Sequence, residues 1–252
     1  MSVRTPTIIT GGGGLLKGSG DGFVVFYDTT TRVIITAGVY EVDGILFNLA
    51  ADTTLNLSLT SAVGIIFHYI YLDKSLSTEN VPVFFNTTAA AVRNTLKNGY
   101  YHPTSTEDRL VGVVEKISNS ATIRYFDTEV MSNKLIRQIS SRHTLVVNRV
   151  PNGIWQDPPN AASGQVPVNA IEAAIHVFSS DVAANCQAAW RMNEGTVIET
   201  AIVNSPTFIQ NFDVGTTNFW GPLGPSRNIK MGAAANDDAT LSAFLMGYGY
   251  TR

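Results

Sequence analysis

From residue 23 onward, short runs of β-branched and aromatic residues alternate with short clusters of turn formers. Residues 23–27 and 33–36 are apolar and flank Asp28-Thr29-Thr30-Thr31-Arg32; residues 39–42 and 45–49 flank Asp43-Gly44. Each pair predicts a hairpin, and Asp-Gly specifies a type I′ turn, whose two central residues both need positive φ. Over 53–59, Leu55, Leu57 and Leu59 share one face while Thr54, Asn56 and Ser58 share the other. That alternation predicts a strand with one face buried. Residues 65–72 are almost wholly apolar or aromatic and predict a central strand buried on both faces. Residues 81–85 form another strand, and Pro82, which cannot donate to a ladder, marks it as an edge.

Two further extended runs, 110–117 and 122–126, are separated by Ser118-Asn119-Ser120-Ala121 and predict a hairpin with a four-residue loop. Met131, Leu135 and Ile139 then recur every four residues, with Lys134, Arg137 and Gln138 between them. This spacing predicts a short helix or linker over 128–141. From 142 to 252 the strand pattern returns, at 144–150, 173–178, 184–192, 196–203, 207–212, 228–231 and 241–248, punctuated by Pro- and Gly-containing breakers. The expected fold class is all-β: a β-domain over 23–127 and a second over 142–252, both β-sandwich or jelly-roll-like, joined by the 128–141 segment. A Gly-rich arm over 1–22 precedes them.

Composition narrows the function. The chain of 252 residues is 44% hydrophobic and 15% charged, too apolar for a disordered protein. Its net charge of −3, with 17 scattered Lys and Arg, gives no basic footprint for nucleic acid. Residues 1–22 lack the apolar core of a signal peptide, and no apolar run is long enough to span a bilayer, so neither secretion nor membrane insertion is expected. The sequons at Asn56 and Asn86 are read as coincidence on that ground. Cys186, the single cysteine, permits no intrachain disulfide, has no basic neighbour in sequence to activate it, and is read as a small strand residue. The glycines at 11–14, 18, 20 and 22 match neither a P-loop nor a dinucleotide fingerprint, so they are read as a flexible arm with tight turns. Within that arm Thr7, Ile8, Ile9 and Thr10 could add to a sheet edge through their backbone.

Candidate chemistry concentrates in one place. Tyr100, Tyr101 and His102 sit in a turn near Glu107, Asp108 and Arg109. A His, two carboxylates and an Arg could perform acid–base work on a glycan. The alternative is a turn packed by its aromatics, with Asp108 or Glu107 paired to Arg109. The tyrosines could also stack on a sugar ring. His68, inside an apolar run with no metal-spaced partner, is read as a core histidine. Asp237-Asp238 could ligate calcium but lacks the usual spread of oxygen donors, so a solvated turn is expected. Trp155, Trp190 and Trp220 are expected in cores or interfaces. No catalytic residue, metal site or cofactor is assigned.

The stretch also carries a resemblance. Gly99, Tyr100, Tyr101, His102, Arg109 and Gly112, followed by a strand ending in Phe126, resemble a motif of tailed-phage tail-fibre and virion-appendage proteins. The likeness covers roughly residues 20–130. It implies a non-enzymatic structural protein of the virion, made in the host cytoplasm. A tail fibre or tail-associated appendage aiding host attachment is the first reading, a capsid decoration protein or head fibre the second, and a glycan-degrading tailspike-like enzyme the third. Tyr100, Tyr101, His102 and Arg109 would then be candidate contacts to a host-surface glycan or protein. Partners would be other virion proteins and sister copies. The charge-free runs 183–190 and 239–250 predict an oligomer built through 142–252; the preference for a trimer comes from the resemblance.

Overall fold

The computed structural model describes residues 22–131, 134–149, 164–179, 186–192, 208–212, 215–223, 227, 229–233 and 241–252. Their strands are β1 (Val25–Thr29), β2 (Arg32–Ile35), β3 (Gly38–Val42), β4 (Ile45–Leu49), β5 (Thr53–Asn56), β6 (Ile66–Leu72), β7 (Phe84–Thr87), β8 (Val92–Asn94), β9 (Gly99–Tyr101) and β10 (Arg109–Lys116) in the first half. The second half contributes β11 (Phe126–Met131), β12 (Lys134–Arg149), β13 (Ala170–Ser179), β14 (Cys186–Met192), β15 (Phe208–Phe212), β16 (Gly215–Pro222), β17 (Ile229–Ala233) and β18 (Leu241–Tyr250). They assemble into separate sheets ordered β1-β2-β5, β3-β4, β7-β6-β10-β9-β8, β11-β12-β18-β13-β16 and β15-β14-β17. The protein is all-β, as its alternation and turn chemistry predict.

Local chemistry explains the first elements. Asp43 and Gly44 have φ of 53° and 81°, the pair of positive values a type I′ hairpin requires, and β3 and β4 pair in register around them. In β5, Leu55 is half-buried between exposed Thr54 and Asn56. In β6 everything from His68 to Leu72 is buried, and the strand lies between β7 and β10. β7 is the edge that Pro82 announced, though its ladder starts only at Phe84.

Two expectations are corrected. The described residues of segment 128–141, 128–131 and 134–141, are strand and not helix or linker. They belong to the antiparallel pair β11-β12, with Phe126 opposite Ile139, Thr128 opposite Arg137 and Val130 opposite Leu135. Residues four apart share a face in a strand as well as in a helix, so the spacing did not discriminate. Arg137 concealed the strand period, because it points inward with Leu135 and Ile139 and is only 1% exposed. The hairpin over 110–126 is also cut short. Lys116 bridges Ile123, and Arg124 N–H donates to Glu115 C=O. The chain then leaves to start β11, so Ile123 is buried while Tyr125 is exposed. The expected segment 196–203 lies outside the described residues.

The core has two clusters. One gathers Val25, Val33, Ile35, Tyr40, Val42, Phe47, Ile70, Leu72, Val114 and Phe126 beneath the first sheets. The other joins Tyr69, Tyr71, Leu110 and Val113 to Leu135, Ile139, Ile175, Leu245, Tyr248 and Tyr250. This second cluster draws on both sides of the expected boundary, so the halves share apolar core. Arg137 lies where they meet. Its Nη1 donates to Val25 C=O (3.1 Å) and Thr128 Oγ1 (2.6 Å), and its Nη2 donates to Val113 C=O and Tyr250 Oη (2.9 Å each). Its guanidinium carbon stands 3.7 Å from the centre of the Phe126 ring. Arg137→Ala would remove the guanidinium donors to Val113 C=O and Tyr250 Oη, leave Val25 C=O to the Thr128 hydroxyl (2.9 Å), and should destabilise the fold by about 3 kcal/mol or more in urea unfolding. Arg137→Lys keeps the charge but loses the planar fork, and should fall between that variant and wild type.

Candidate functional site

The motif residues converge on β9 and the start of β10, where Arg109 lies opposite Tyr101. Asn98, with φ of 50°, turns the chain from β8 into β9. Gly99 follows, and a Cβ there would sit 1.9 Å from the Arg109 guanidinium carbon. Only glycine lets that group lie flat against β9. From this position Arg109 Nη1 donates to Tyr101 Oη (2.9 Å) and Lys97 C=O (3.4 Å). Nη2 donates to Asn98 C=O (3.2 Å) and Arg252 C=O (3.0 Å).

Tyr101 passes the connection on. Its hydroxyl donates to Asp43 Oδ1 at 2.8 Å, in the β3-β4 turn. Burial pushes the Tyr101 hydroxyl up to about 12, with Arg109 opposing the shift and Asp43 adding to it. Burial acts upward on the Asp43 carboxyl too, but hydrogen bonds from Lys97 and Tyr101 and the charges of Lys97 and Lys74 outweigh it and hold the group below its ordinary value. Lys97 Nζ binds Asp43 Oδ2 (2.8 Å) and Thr106 C=O (2.9 Å), and lies 5.0 Å from the Tyr101 ring centre.

His102 faces the other way. Its Nδ1 accepts the Ser105 N–H at 3.2 Å, and the Thr104 N–H and hydroxyl lie at 3.4 and 3.2 Å. Its ring meets Tyr71 and Phe85 edge-on, with centroids 5.1 and 5.8 Å apart. Asp108 Oδ1 accepts the Lys74 N–H (3.0 Å), and Glu107 lies 3.7 Å from Lys74 Nζ. The carboxylates therefore turn to Lys74, and the expected pairing with Arg109 is replaced by Tyr101 and backbone carbonyls.

Tyr101 and Arg109 are each 2% exposed, so neither can offer a face to a glycan or a protein. Their expected role as contacts is corrected on that ground: a guanidinium satisfied by carbonyls and a phenol bridging Arg109 to Asp43 are interior groups. Tyr100 and His102 remain half-buried and partly accessible. The other motif residues are also packing positions. A Cβ on Gly112 would lie 2.6 Å from Val25 Cγ2, and Phe126 carries the Arg137 guanidinium. No pattern in the sequence marks Arg137, Asp43 or Lys97 as members of these networks. Nor does any mark Arg252, whose Nη1 donates to Gly22 C=O (3.0 Å) and Phe23 C=O (3.2 Å).

His68 is a core histidine, 2% exposed. Trp220, on edge strand β16, is 41% exposed and does not fill the core of this chain. Cys186 opens β14, in a strand as read. The possible docking residues Thr7, Ile8, Ile9 and Thr10 lie outside the described residues, as do Trp155, Asp237 and Asp238. Among the described residues no three His, Cys, Asp or Glu side chains converge as a metal site, and no helix is long and apolar enough to cross a membrane.

No protein-family model matches the chain, and no curated protein matches it. Among solved structures, a Bacillus thuringiensis Cry1Da tryptic core variant matches over 91% of this chain at 9% identity with a TM-score of 0.16. The chain spans about half (50%) of that protein's length, and a likeness at this level carries no argument about fold or function.

The geometry ranks two substitutions. Gly99→Ala drives a methyl into the Arg109 fork and should destabilise the protein by about 2 kcal/mol or more. Tyr101→Phe removes only the hydroxyl between Arg109 and Asp43 and should cost about 1–2 kcal/mol. Denaturant midpoints of the two variants check the order.

Proposed function

We propose that this chain is a non-enzymatic structural protein of a tailed-phage virion, a tail-fibre or tail-associated appendage that contributes to host attachment. The observation that carries this reading is the use made of the resembling motif. Gly99, Arg109, Gly112 and Phe126 each occupy a packing position, so the residues that carry the likeness are those that build a rigid β-scaffold. Attachment proteins need such scaffolds to present loops. Tyr100 and His102, with Pro103 and Thr104 beside them, are the part of the motif left to meet a host glycan or protein.

The glycan-degrading alternative is disfavoured by the same contacts. Arg109 is spent on carbonyls, Asp108 on the Lys74 backbone, and the His102 Nδ1 on the turn that holds it. A decoration protein or head fibre would use the same scaffold and remains the second reading. Self-assembly stays part of the proposal, with a trimer preferred by resemblance, but one of its motives has changed. The run 239–250 includes β18, which lies centrally between β12 and β13, and its Ala243, Leu245, Tyr248 and Tyr250 are buried within the chain.

Gold-labelling the chain in intact particles tests the placement. Label at the tail tip is expected; label at regular points on the shell would move the chain to the decoration reading, and unlabelled particles would end both. Purified protein incubated with host surface polysaccharide should release no oligosaccharide. Release that disappears in His102→Ala or Asp108→Ala would promote the enzyme instead.

A further inference from the structure

One buried side chain outside the motif has its protonation state dictated by its neighbours. His68 Nδ1 lies 3.0 Å from Asn86 Nδ2, on β7. The orientation of that amide is fixed independently. Asn86 Oδ1 accepts the Ser58 N–H at 2.9 Å, and its Nδ2 lies 3.3 Å from Ser58 C=O. Rotating the amide would set donor against donor and oxygen against oxygen at Ser58. Asn86 therefore offers His68 an N–H, and His68 Nδ1 must accept it. The ring proton then sits on Nε2, which is buried and has no partner among the described residues.

A second proton would have to go onto Nδ1, directly against the Asn86 N–H. The surroundings oppose the resulting charge. Lys116, on β10, shares the face of His68, since Lys116 stands opposite Ile66 and Val114 opposite His68. It is fully buried, and its ammonium is held by the carbonyls of Ala62, Ile117 and Ser120 at 2.8, 2.8 and 3.1 Å. Glu115 points to the opposite face of β10 and pairs with Arg124, so it offers His68 no counter-charge. On the β7 and β5 sides the partners, Asn86 and Ser58, are neutral. Burial first, and the Lys116 charge second, hold the His68 ring below its ordinary value.

We propose that His68 is an acid-sensitive latch, whose neutral Nδ1 holds Asn86 in place and so ties the segment after β5 to edge strand β7 until protonation breaks the tie. The Asn86–Ser58 contact joins the sheet β1-β2-β5 to the sheet of β6 and β7. Its loss loosens β7 and bares the ladder groups of β6 to another strand. The folded protein takes up this proton at lower pH than the unfolded chain does. The tie is therefore at full strength above the ordinary histidine value of 6.5 and is lost as pH falls through the lower folded value. Between those limits the opening constant rises by up to about tenfold per pH unit.

The test uses the full chain and two NMR readouts. Long-range proton–nitrogen correlation of the ring should show His68 neutral with its proton on Nε2 at pH about 7.5. Hydrogen exchange, corrected for its intrinsic pH dependence, should show the Ser58 and β7 amides losing protection by up to about tenfold per unit below pH about 6.5, ahead of amides in β18. His68→Asn keeps an acceptor for Asn86 but cannot titrate, and should hold Ser58 equally protected at both ends of that range. If that variant does not fold, the wild-type measurements decide alone. A ring proton on Nδ1 at neutral pH, or Ser58 protection that does not change with pH, overturns the proposal.

Discussion

Guanidinium groups that satisfy backbone carbonyls hold this fold together. A chain folded into several small sheets buries backbone carbonyls where the sheets meet, and a buried carbonyl out of reach of water needs a donor. Arg137 serves Val25 and Val113; Arg109 serves Lys97, Asn98 and Arg252; Arg252 serves Gly22 and Phe23. Arginine suits this role because one planar fork addresses several acceptors and stays charged at any physiological pH. Each guanidinium also lies over an aromatic ring: Arg137 over Phe126, Arg109 over Tyr101 and Arg252 over Tyr40. The rings present negative faces to the buried guanidinium groups.

These forks connect distant parts of the sequence. Arg137 reaches β1, β10 and β18, and the Arg109–Arg252 contact brings β10 to the residue that follows β18 by two positions. The apolar cluster that includes Tyr71, Leu135 and Tyr248 lies beside the same junction. Polar and apolar bonding here act together. The forks fix which strands meet, and the aromatic packing fills the space between them. A cavity-forming change in the apolar cluster and the loss of an arginine should therefore couple rather than add.

Where local chemistry decides the structure, the sequence was legible. Asp43-Gly44 fixed a hairpin and its register, the unbroken apolar run of β6 marked a central strand, and Pro82 marked an edge. Where a charged residue is interior, the reading failed. Arg137 between Leu135 and Ile139 imitated the polar side of a helix, and Arg109 beside Asp108 imitated a surface ion pair. Both errors have one cause: alternation of polar and apolar residues reports burial only while polar means exposed. β8 and β9, three residues each, are too short for any period to register. The candidate site suffered most, because Tyr101 and Arg109 looked like recognition residues for the same reason that they make good interior bridges. Each combines a flat body with a polar end.

The position of Gly22 shows how far this constraint extends. A Cβ there would lie 2.6 Å from the Val39 nitrogen, so the backbone at Gly22 is pressed against the start of β3. Phe23, at φ of 61°, then turns it into β1, a conformation that costs an aromatic residue energy. Arg252 binds the carbonyls on both sides of that turn, and Phe23 packs edge-on against Phe84 and tilted against Tyr40. The unfavourable backbone is thus held by one cation and two rings contributed by other elements.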